Sequence, residues 1–405
     1  MGFITKNVPF HQTDMSSYLP TQIKFGLGKV EKLGIELQIE PDLADRHHVI
    51  IVTDQGILAA GLLDKVKAGL VDSPYEVRAV FDTVPSDSDM ETVERLTQLI
   101  RDHGADLIIA LGGGSVMDTA KAGSLMATYG GEVRQYEGGF MVPGPCIPVV
   151  AIPTTTGTGS EVSMGAIIKD REAKVKITIA SPFLFPRMAV LDPEMVRTLP
   201  PKLVAWTGMD ALTHAVESYV SDLHEPISEA LAFRVVEMIF DNLPLAVFEP
   251  DNIDARAKMQ MAATMAGLAF CNAALGATHP IAHAVGGMFG VHHGLSNAVA
   301  LPVVMEFNLP VCPERYATLA RAMGVSRTDL SDHELGELAI EHVRELRRLL
   351  GIPARYSELG VPTDDATIQA LAEAAMNDPL LAFNPRKMEL EEMITLVAKA
   401  VRNGR

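Results

Sequence analysis

The first half of the chain alternates short apolar runs with segments of helical spacing, and this alternation constrains the fold more than any other feature. Val49–Thr53 and Leu107–Leu111 are apolar runs rich in β-branched residues that end at polar or glycine-rich turns, as buried parallel strands do. Apolar residues recur at helical spacing over 57–70 and 89–103. Strands that alternate with helices predict a mainly parallel sheet with helices on both faces.

Further strands are predicted at 21–28, 77–81 and 149–152, and another helix from about 116. After Pro200-Pro201 the pattern becomes helical and no convincing strand is found. Helices are predicted over 203–220, 226–243, 254–275, 278–288, 294–306, 313–323, 332–350, 365–376 and 387–402. We therefore expect an α/β domain over 1–199 and an all-helical domain over 200–405.

Composition excludes several classes of protein. The chain has 405 residues, 48% of them hydrophobic, which is enough for two sizeable cores. A net charge of −17 with no basic run argues against nucleic acid as a partner. Three dispersed cysteines, a polar N-terminus and the lack of an uninterrupted apolar run of about 18 residues predict a cytoplasmic protein with no membrane partner.

Three polar segments follow predicted strands, where open α/β sheets bind ligands. Glycines and a serine at 112–115 lie between a strand and a helix, which suits a diphosphate, although a bare tight turn is the alternative. The hydroxyl-rich loop Pro153–Glu161 suits a ribose or phosphate, or is a capping turn with Ser160 as the cap. Asp54 can accept hydrogen bonds from a ribose, or can act as a helix N-cap.

A second constellation indicates a metal site. Asp210 and His214 are four residues apart, so a helix places them on one face. His279, His283, His292 and His293 follow within a short apolar stretch, which is unusual for packed core histidines. One carboxylate with several imidazoles suits a divalent transition metal. Spacing alone does not choose which of the histidines join Asp210 and His214.

With these residues in view, the chain resembles the iron-containing (group III) alcohol dehydrogenases over nearly its whole length. The most specific motifs are Gly112–Asp118, Pro153–Glu161, Gly208–His214 and His279–Asn297, which occur in this order. The resemblance implies a Rossmann-like dinucleotide-binding domain followed by an all-helical domain, the fold shared with dehydroquinate synthase. It implies that the active site lies in the cleft between the two domains.

The resemblance also assigns roles to individual residues. It implies metal ligands at Asp210, His214, His279 and His293, with Fe²⁺ expected and Zn²⁺ acceptable to the same donors. It implies a proton-relay role for His283, and at Asp54 a preference for NAD over NADP. The further cofactor contacts that it implies are Gly112, Gly113, Gly114, Ser115, Asp118, Thr154, Thr155, Thr158, Ser163 and Lys176. After the third strand the chain departs from the family, with Ser86-Asp87-Ser88 in place of Asn-Pro-Thr, and we expect Ser86 to replace some of the hydrogen bonding of that Asn.

The activity that follows from the resemblance is a metal-assisted, NAD-dependent oxidation of an alcohol to an aldehyde or ketone, and the reverse reduction. A short aliphatic alcohol or diol is the expected substrate, and a homodimer or larger homo-oligomer the expected assembly. Three alternatives remain: a zinc-dependent dehydrogenase of the glycerol type, a lyase of the dehydroquinate-synthase type, and a non-catalytic protein that binds nucleotide and metal. A lyase with a phosphorylated substrate needs several basic residues, and His279–Gly294 contains none.

Overall fold

The computed structural model describes residues 16–173 and 175–403. They form two compact units, the first over Leu19–Pro200 and the second over 201–403 together with Ser16–Tyr18. The polar N-terminus, on which the expectation of no signal peptide depends, lies outside the described residues. The expected domains 1–199 and 200–405 remain a prediction. The compact units differ from them because Ser16–Tyr18 are grouped with the helices.

The strands of the first unit form two sheets. In chain order they are β1 (Gln22–Phe25), β2 (His48–Val52), β3 (Glu76–Phe81), β4 (Leu107–Gly112), β5 (Gly138–Gly139), β6 (Val149–Pro153), β7 (Gly165–Asp170), β8 (Val175–Ala180) and β9 (Met188–Leu191). Six of them form a parallel sheet in the order β1-β9-β6-β4-β2-β3. The others form a small sheet in the order β5-β8-β7, in which β7 and β8 are antiparallel.

Helices cover both faces of the parallel sheet. Those of the first unit are α1 (Leu33–Gln38), α2 (Gln55–Ala59), α3 (Leu62–Ala68), α4 (Met90–Asp102) and α5 (Gly114–Tyr129). Successive residues of β2 alternate between two cores, since side chains along a strand point to opposite faces. Val49 and Ile51 pack with α1 and α3, whereas Ile50 and Val52 pack with α4 and α5. The prediction of a mainly parallel sheet covered on both faces is therefore confirmed.

The sequence patterns missed part of this unit. Strands β7, β8 and β9 were not predicted, and the helix expected over 57–70 is broken into α2 and α3 at Gly61, whose φ of 70° is left-handed. The β7–β8 hairpin lies in a stretch from which we predicted only cofactor contacts. Burial alternates regularly along Gly165–Asp170, and residues 175–179 alternate apolar with polar side chains, so the pattern of a half-buried strand was present there and was missed.

The second unit is helical throughout the part that the structure describes. Its α-helices are α6 (Pro201–Val220), α7 (Pro226–Phe248), α8 (Ile253–Ala273), α9 (Thr278–Phe289), α10 (His293–Asn308), α11 (Pro313–Ala322), α12 (Asp332–Leu349), α13 (Asp365–Met376) and α14 (Leu390–Ala398). Each corresponds to a predicted helix, although the last is shorter than expected and continues as a π-helical turn over Lys399–Asn403. One buried cluster joins α9, α10, α13 and α14.

The segment before the first strand belongs to this helical unit. Tyr18 N donates to Asn272 Oδ1 at 2.6 Å, and Asn272 Nδ2 donates to Tyr18 O at 3.2 Å. Ser17 Oγ also donates to Glu225 Oε1 at 3.0 Å. The helical unit is therefore made from two separate parts of the chain.

One helical segment, His293–Val311, has the length and apolar composition of a membrane span, with a mean hydropathy of 1.2. The bent pair α8–α9 passes the same test if its two helices are taken together. Of the window in His293–Val311, 78% is buried inside the fold, as in a core helix of a folded domain. The search for uninterrupted apolar runs missed this segment because polar residues such as Asn297 interrupt it.

Candidate active site

Helix α6 carries the first half of the histidine and carboxylate cluster. Asp210 and His214 lie one turn apart, and both are almost fully buried, with 1% and 4% of their surfaces exposed. A buried carboxylate beside a buried imidazole is costly unless hydrogen bonds or a cation compensate for the lost hydration. The burial of this pair therefore indicates a functional constraint rather than ordinary packing.

Helices α9 and α10 bring the remaining donors to the same place. His279 lies in the first turn of α9, and His293 is the first residue of α10. One ligand atom from each of Asp210, His214, His279 and His293 lies within 4.8 Å of all the others. His293 is the most exposed of the four, with 31% of its side chain accessible, so the cluster opens to solvent on that side.

The spacing of these atoms fits a metal ion. Two atoms bound tetrahedrally at about 2.1 Å from one ion lie about 3.4 Å apart, and His293 Nε2 lies 3.5 Å from Asp210 Oδ1. Asn297 Nδ2 lies 2.7 Å from Asp210 Oδ1 and 3.2 Å from both His279 Nε2 and His293 Nε2. Three acceptors thus converge on a donor that has two hydrogens. Asn297 Oδ1 is buried without a hydrogen bond among the described residues. Such convergence of lone pairs suits a cation.

His279 has a second buried carboxylate behind it. Glu217 Oε2 lies 2.5 Å from His279 Nδ1. Burial acts to raise the pKa of Glu217, but the hydrogen bond and charge of His279, with the contacts to Thr278, outweigh it and the pKa is lowered. Burial opposes protonation of His279, yet Glu217 above all raises the pKa of this imidazole. The two groups therefore titrate as a coupled pair.

His283, one turn further along α9, is held in a similar way. Its Nδ1 lies 2.8 Å from Asp378 Oδ2, and both side chains are partly accessible, at 12% and 15%. Burial alone would raise the pKa of Asp378, but the contact with His283 and a hydrogen bond from Leu380 N lower it. The ring of His283 stacks on that of His293 with centroids 5.4 Å apart. His283 is therefore adjacent to the cluster, and its ligand atoms do not belong to the group of four.

Two aromatic residues flank the cluster. Phe270 stacks on His214 at 4.5 Å between ring centroids and restricts that imidazole. Trp206, the only tryptophan of the chain, lies one turn before Asp210 with its ring 5.0 Å from His292. His292 faces this tryptophan and, like His283, is outside the group of four.

The first unit gathers most of the predicted cofactor residues at one edge of its sheet. Asp54 follows β2, Ser86 follows β3, Gly113 follows β4 and Thr154 follows β6, and these four strands are neighbours. Strand β3 pairs with one side of β2 and β4 pairs with its other side, so the order of strands along the sheet reverses between β2 and β4. Open α/β sheets bind ligands at the carboxyl ends of the strands beside such a reversal.

The glycine turn and the threonine loop approach each other closely. A Cβ on Gly113 would lie 3.1 Å from Thr155 Cγ2, and one on Gly114 would lie 2.9 Å from Thr158 Cγ2. Gly113 is the N-cap of α5, so the first backbone N–H groups of this helix point out of the turn. Close packing against the threonine loop therefore explains these glycines as well as a phosphate contact would, and the sequence alone could not separate the two explanations.

Two of the predicted cofactor contacts have internal partners. Asp118 accepts from Ser160 Oγ at 2.7 Å and from Ile167 N at 3.1 Å. Lys121 is fully buried and donates to Ser163 Oγ at 3.2 Å, as well as to Ser160 Oγ and to two backbone carbonyls. Burial raises the pKa of Asp118 against the opposing charge of Lys121. Asp118 and Ser163 thus shape the loop, and their direct contact with a cofactor remains a prediction.

Asp54, Ser115 and Lys176 also have partners within the first unit. Asp54 Oδ1 accepts from Ile57 N at 3.0 Å and caps α2, the alternative that we left open, while a ribose contact remains a prediction. Ser115 Oγ donates to Ser86 O, which links the glycine turn to the loop after β3. Lys176 Nζ lies 2.8 Å from Asp87 Oδ1. The hairpin thereby meets the same loop.

Three residues that contact the clustered histidines were not predicted as site residues. Glu217 is seven residues after Asp210, and Asn297 is four residues after His293. Each therefore shares a helical face with a predicted ligand, and this spacing could have revealed both. Asp378 is distant in sequence from every histidine of the cluster, so no local pattern could have indicated its contact with His283.

Comparisons with known proteins agree with the class that the fold and the cluster define. Family models match residues 20–193 ("Iron-containing alcohol dehydrogenase") and 204–401 ("Fe-containing alcohol dehydrogenase family, C-terminal"). The chain is 36% identical over 385 residues to the NAD-dependent methanol dehydrogenase of Bacillus methanolicus, covering 95% of this chain and 99% of that protein. It is 35% identical over 382 residues to the NADPH-dependent butanol dehydrogenase of Clostridium saccharobutylicum, covering 93% and 95%.

Among solved structures, that of a 1,3-propanediol oxidoreductase superposes with a TM-score of 0.92 at 35% identity, covering 96% of this chain and all of that one. The chain therefore belongs to the iron-containing alcohol dehydrogenase family. The family assignment favours an alcohol oxidoreductase over the lyase and the non-catalytic alternatives, and the predicted class of enzyme is confirmed.

Proposed function

We propose that this enzyme interconverts a short alcohol and its carbonyl compound, with NAD as the hydride carrier and a divalent metal held by Asp210, His214, His279 and His293. One observation carries the proposal: a ligand atom of each residue lies within 4.8 Å of the other three. The donors are one carboxylate and three imidazoles, which suit Fe²⁺ or Zn²⁺. Four protein ligands leave coordination room for a substrate oxygen on Fe²⁺, which commonly takes more than four.

When bound, the metal would supply Lewis-acid polarisation of the substrate oxygen, and NAD would supply the hydride acceptor. Asp210 is the one carboxylate beside three imidazoles among the residues that would hold the ion, so a divalent ion held there would keep a net positive charge. Phe270 and the buried face of α6 keep water away from His214. Opposite charges near the cluster therefore act in a medium of low polarity.

His283 is the proposed proton acceptor for the alcohol. Asp378 accepts from its Nδ1 at 2.8 Å, which leaves Nε2 as the basic nitrogen of the neutral ring. The partial exposure of both side chains gives a proton a way out to solvent. His283 would hold the proton released by the alcohol, and Asp378 would stabilise the imidazolium that forms.

The proposed substrate is a short aliphatic alcohol or diol. Support comes from the relatives, whose names specify methanol, butanol and 1,3-propanediol. Phe270, whose ring stacks on His214, supplies an apolar surface beside the cluster, whereas Met288 and Phe289 are 44% and 37% exposed. A panel of C1–C4 alcohols, diols and aldehydes, assayed by NADH absorbance, would order the substrates. Activity only on larger or charged alcohols would contradict this proposal.

The ligand assignment is tested by three histidine variants. His279→Ala should lose both metal and activity, and His283→Ala should keep the metal but turn over slowly. His342→Ala is the matched control, since this helical histidine hydrogen-bonds only to Leu338 O among its recorded contacts. Metal content is measured after anaerobic loading with Fe²⁺ or Zn²⁺ and removal of excess ion. Full metal content and activity in His279→Ala would overturn the assignment.

We further propose that iron is the working metal, and that the enzyme acts in the cytoplasm as a homo-oligomer. The three cysteines are far apart in sequence and show no disulfide-framework spacing, which fits a reducing compartment. β1 is an edge strand, and Phe25 and Leu27 beside it are 44% and 66% exposed, which supports association of subunits. Light scattering during gel filtration would test the assembly, and a monomer at micromolar concentration would contradict it. Activity after loading with Fe²⁺ rather than Zn²⁺ would test the metal.

A further inference from the structure

A buried carboxylate stands directly behind the candidate metal ligand His279. Glu217 lies on α6, the helix that also carries Asp210 and His214, and is 2% exposed. One of its oxygens accepts from Thr278 N at 2.6 Å, and the other lies 2.5 Å from His279 Nδ1. The carboxylate therefore joins the start of α9 to α6 and also contacts the ring of His279.

The surroundings of the ring determine where its proton lies. Because Glu217 is an acceptor, His279 Nδ1 must carry a hydrogen. The opposite nitrogen, Nε2, lies 3.2 Å from Asn297 Nδ2, which is a donor. An acceptor beside Nδ1 and a donor beside Nε2 select a single neutral tautomer, whose lone pair is on Nε2, the nitrogen that would then be able to bind a metal.

We propose that Glu217 is a positioning residue that fixes the orientation and tautomer of His279, and so sets how tightly the centre holds its metal. This inference rests on the proposed function, because it takes His279 as a ligand. Partners behind a metal-bound histidine commonly change metal affinity by about 10- to 100-fold when they are replaced. Glu217 makes no contact with the four-atom group other than through His279 among its recorded hydrogen bonds.

The test replaces Glu217 without changing its size. In Glu217→Gln, the amide oxygen can still accept from Thr278 N, but the amide NH₂ then faces His279 Nδ1 and favours the wrong tautomer. Glu225→Gln is the matched control. Glu225 is 3% exposed, close to the 2% of Glu217, lies just before α7, and accepts from the backbone N–H groups of Ile227 and Ser228. No recorded contact joins Glu225 to a candidate ligand.

Full-length proteins are loaded with Co²⁺ or Zn²⁺ and titrated with a chelator of known affinity. We expect Glu217→Gln to weaken binding by about 10- to 100-fold and to shift the visible absorption of bound Co²⁺. Glu225→Gln should lower thermal stability while leaving both the affinity and the Co²⁺ spectrum as in wild type. Glu217→Asp, which keeps the charge, should recover part of the lost affinity.

Two outcomes would overturn the inference. One is an unchanged affinity and Co²⁺ spectrum in Glu217→Gln. The other is an equal loss in Glu217→Gln and Glu225→Gln, because that would indicate general loosening of the helical unit. Failure of the wild-type protein to bind any divalent metal is a separate result, which would refute the proposed function itself.

Discussion

Gly294 follows His293 at the start of α10, and its lack of a side chain permits a close approach of α10 to α6. A Cβ at this position would lie 2.4 Å from Trp206 O and 3.1 Å from Asp210 Cβ. Since comfortable contacts between heavy atoms are about 3.5 Å, Gly294→Ala must move the start of α10 by roughly 1 Å. Metal–ligand distances tolerate only about 0.2 Å. His293 would therefore be displaced well beyond its useful range.

The size of the effect follows from the packing. Inserting a methyl group against rigid backbone costs about 1–3 kcal/mol. If this cost falls on the metal-bound state alone, it corresponds to a dissociation constant raised about 5- to 150-fold. Gly208→Ala is the matched control, because its Cβ would meet the end of the flexible Leu243 side chain, with Cδ1 at 2.3 Å. Leu243 can adopt another rotamer, and alanine favours the helix by about 1 kcal/mol relative to glycine.

Chelator titration of the Zn²⁺-loaded proteins measures both variants in one assay. We expect a weaker dissociation constant for Gly294→Ala and one close to wild type for Gly208→Ala. Wild-type affinity in Gly294→Ala would refute the reasoning, since α10 would then not need its close contact with Trp206. Equal weakening in both variants would also refute it, because the loss would then be a general effect of added volume.

Three further predictions follow from single side chains. Asp54→Asn keeps a good N-cap for α2 but removes the negative charge. The kcat/KM for NAD divided by that for NADP should therefore fall about tenfold, which corresponds to about 1.4 kcal/mol. An unchanged ratio in steady-state assays would contradict a role of Asp54 in cofactor choice. Removing the metal should change the fluorescence of Trp206, which lies one turn from Asp210. An emission spectrum that does not change when a chelator is added would argue against metal binding beside Asp210. Asp89→Ala removes the acceptor for Thr92 N at the start of α4 and should lower the free energy of unfolding in urea by about 1 kcal/mol. The pKa of Asp89 is lowered, although burial acts to raise it. The stabilisation by this carboxylate should therefore be complete above pH about 4 and should be lost as the pH falls further. A difference in unfolding free energy between Asp89→Ala and wild type that persists in strong acid would contradict this prediction.

The sequence predicted best those strands and helices whose apolar residues follow a simple pattern, either a continuous run or a regular helical spacing. Val49–Thr53 and Leu107–Leu111 are buried on both faces and read as continuous apolar runs, and the helices after Pro201 keep a regular spacing. The β7–β8 hairpin was missed in part because Gly165–Asp170 has two successive isoleucines followed by Lys169 and Asp170, and so shows no alternation in sequence. Residues 175–179 do alternate apolar and polar side chains, and this pattern could have indicated β8.

The same contrast holds for the site. Asp210 with His214, and His279 with His283, are helical neighbours, so their spacing was informative. Their meeting with His293 depends on how α6, α9 and α10 pack, and only the resemblance to a family chose His293 over His292. Tertiary packing alone brings Asp378 to His283.

The two hydrogen bonds between Tyr18 and Asn272 have a consequence for how the chain is made. The α/β unit is an insertion in the helical unit, because the chain contributes Ser16–Tyr18 to the helices before it builds the sheet and returns to them at Pro201. During synthesis the inserted unit is complete while roughly half of the polypeptide is still absent, and domains tend to fold as they emerge. Ser16–Tyr18 are then synthesised well before α8, the helix that carries Asn272. Asn272 closes a loop that spans the whole sheet-bearing unit, so the helical unit, which carries Asp210 and the clustered histidines, is the last to be completed.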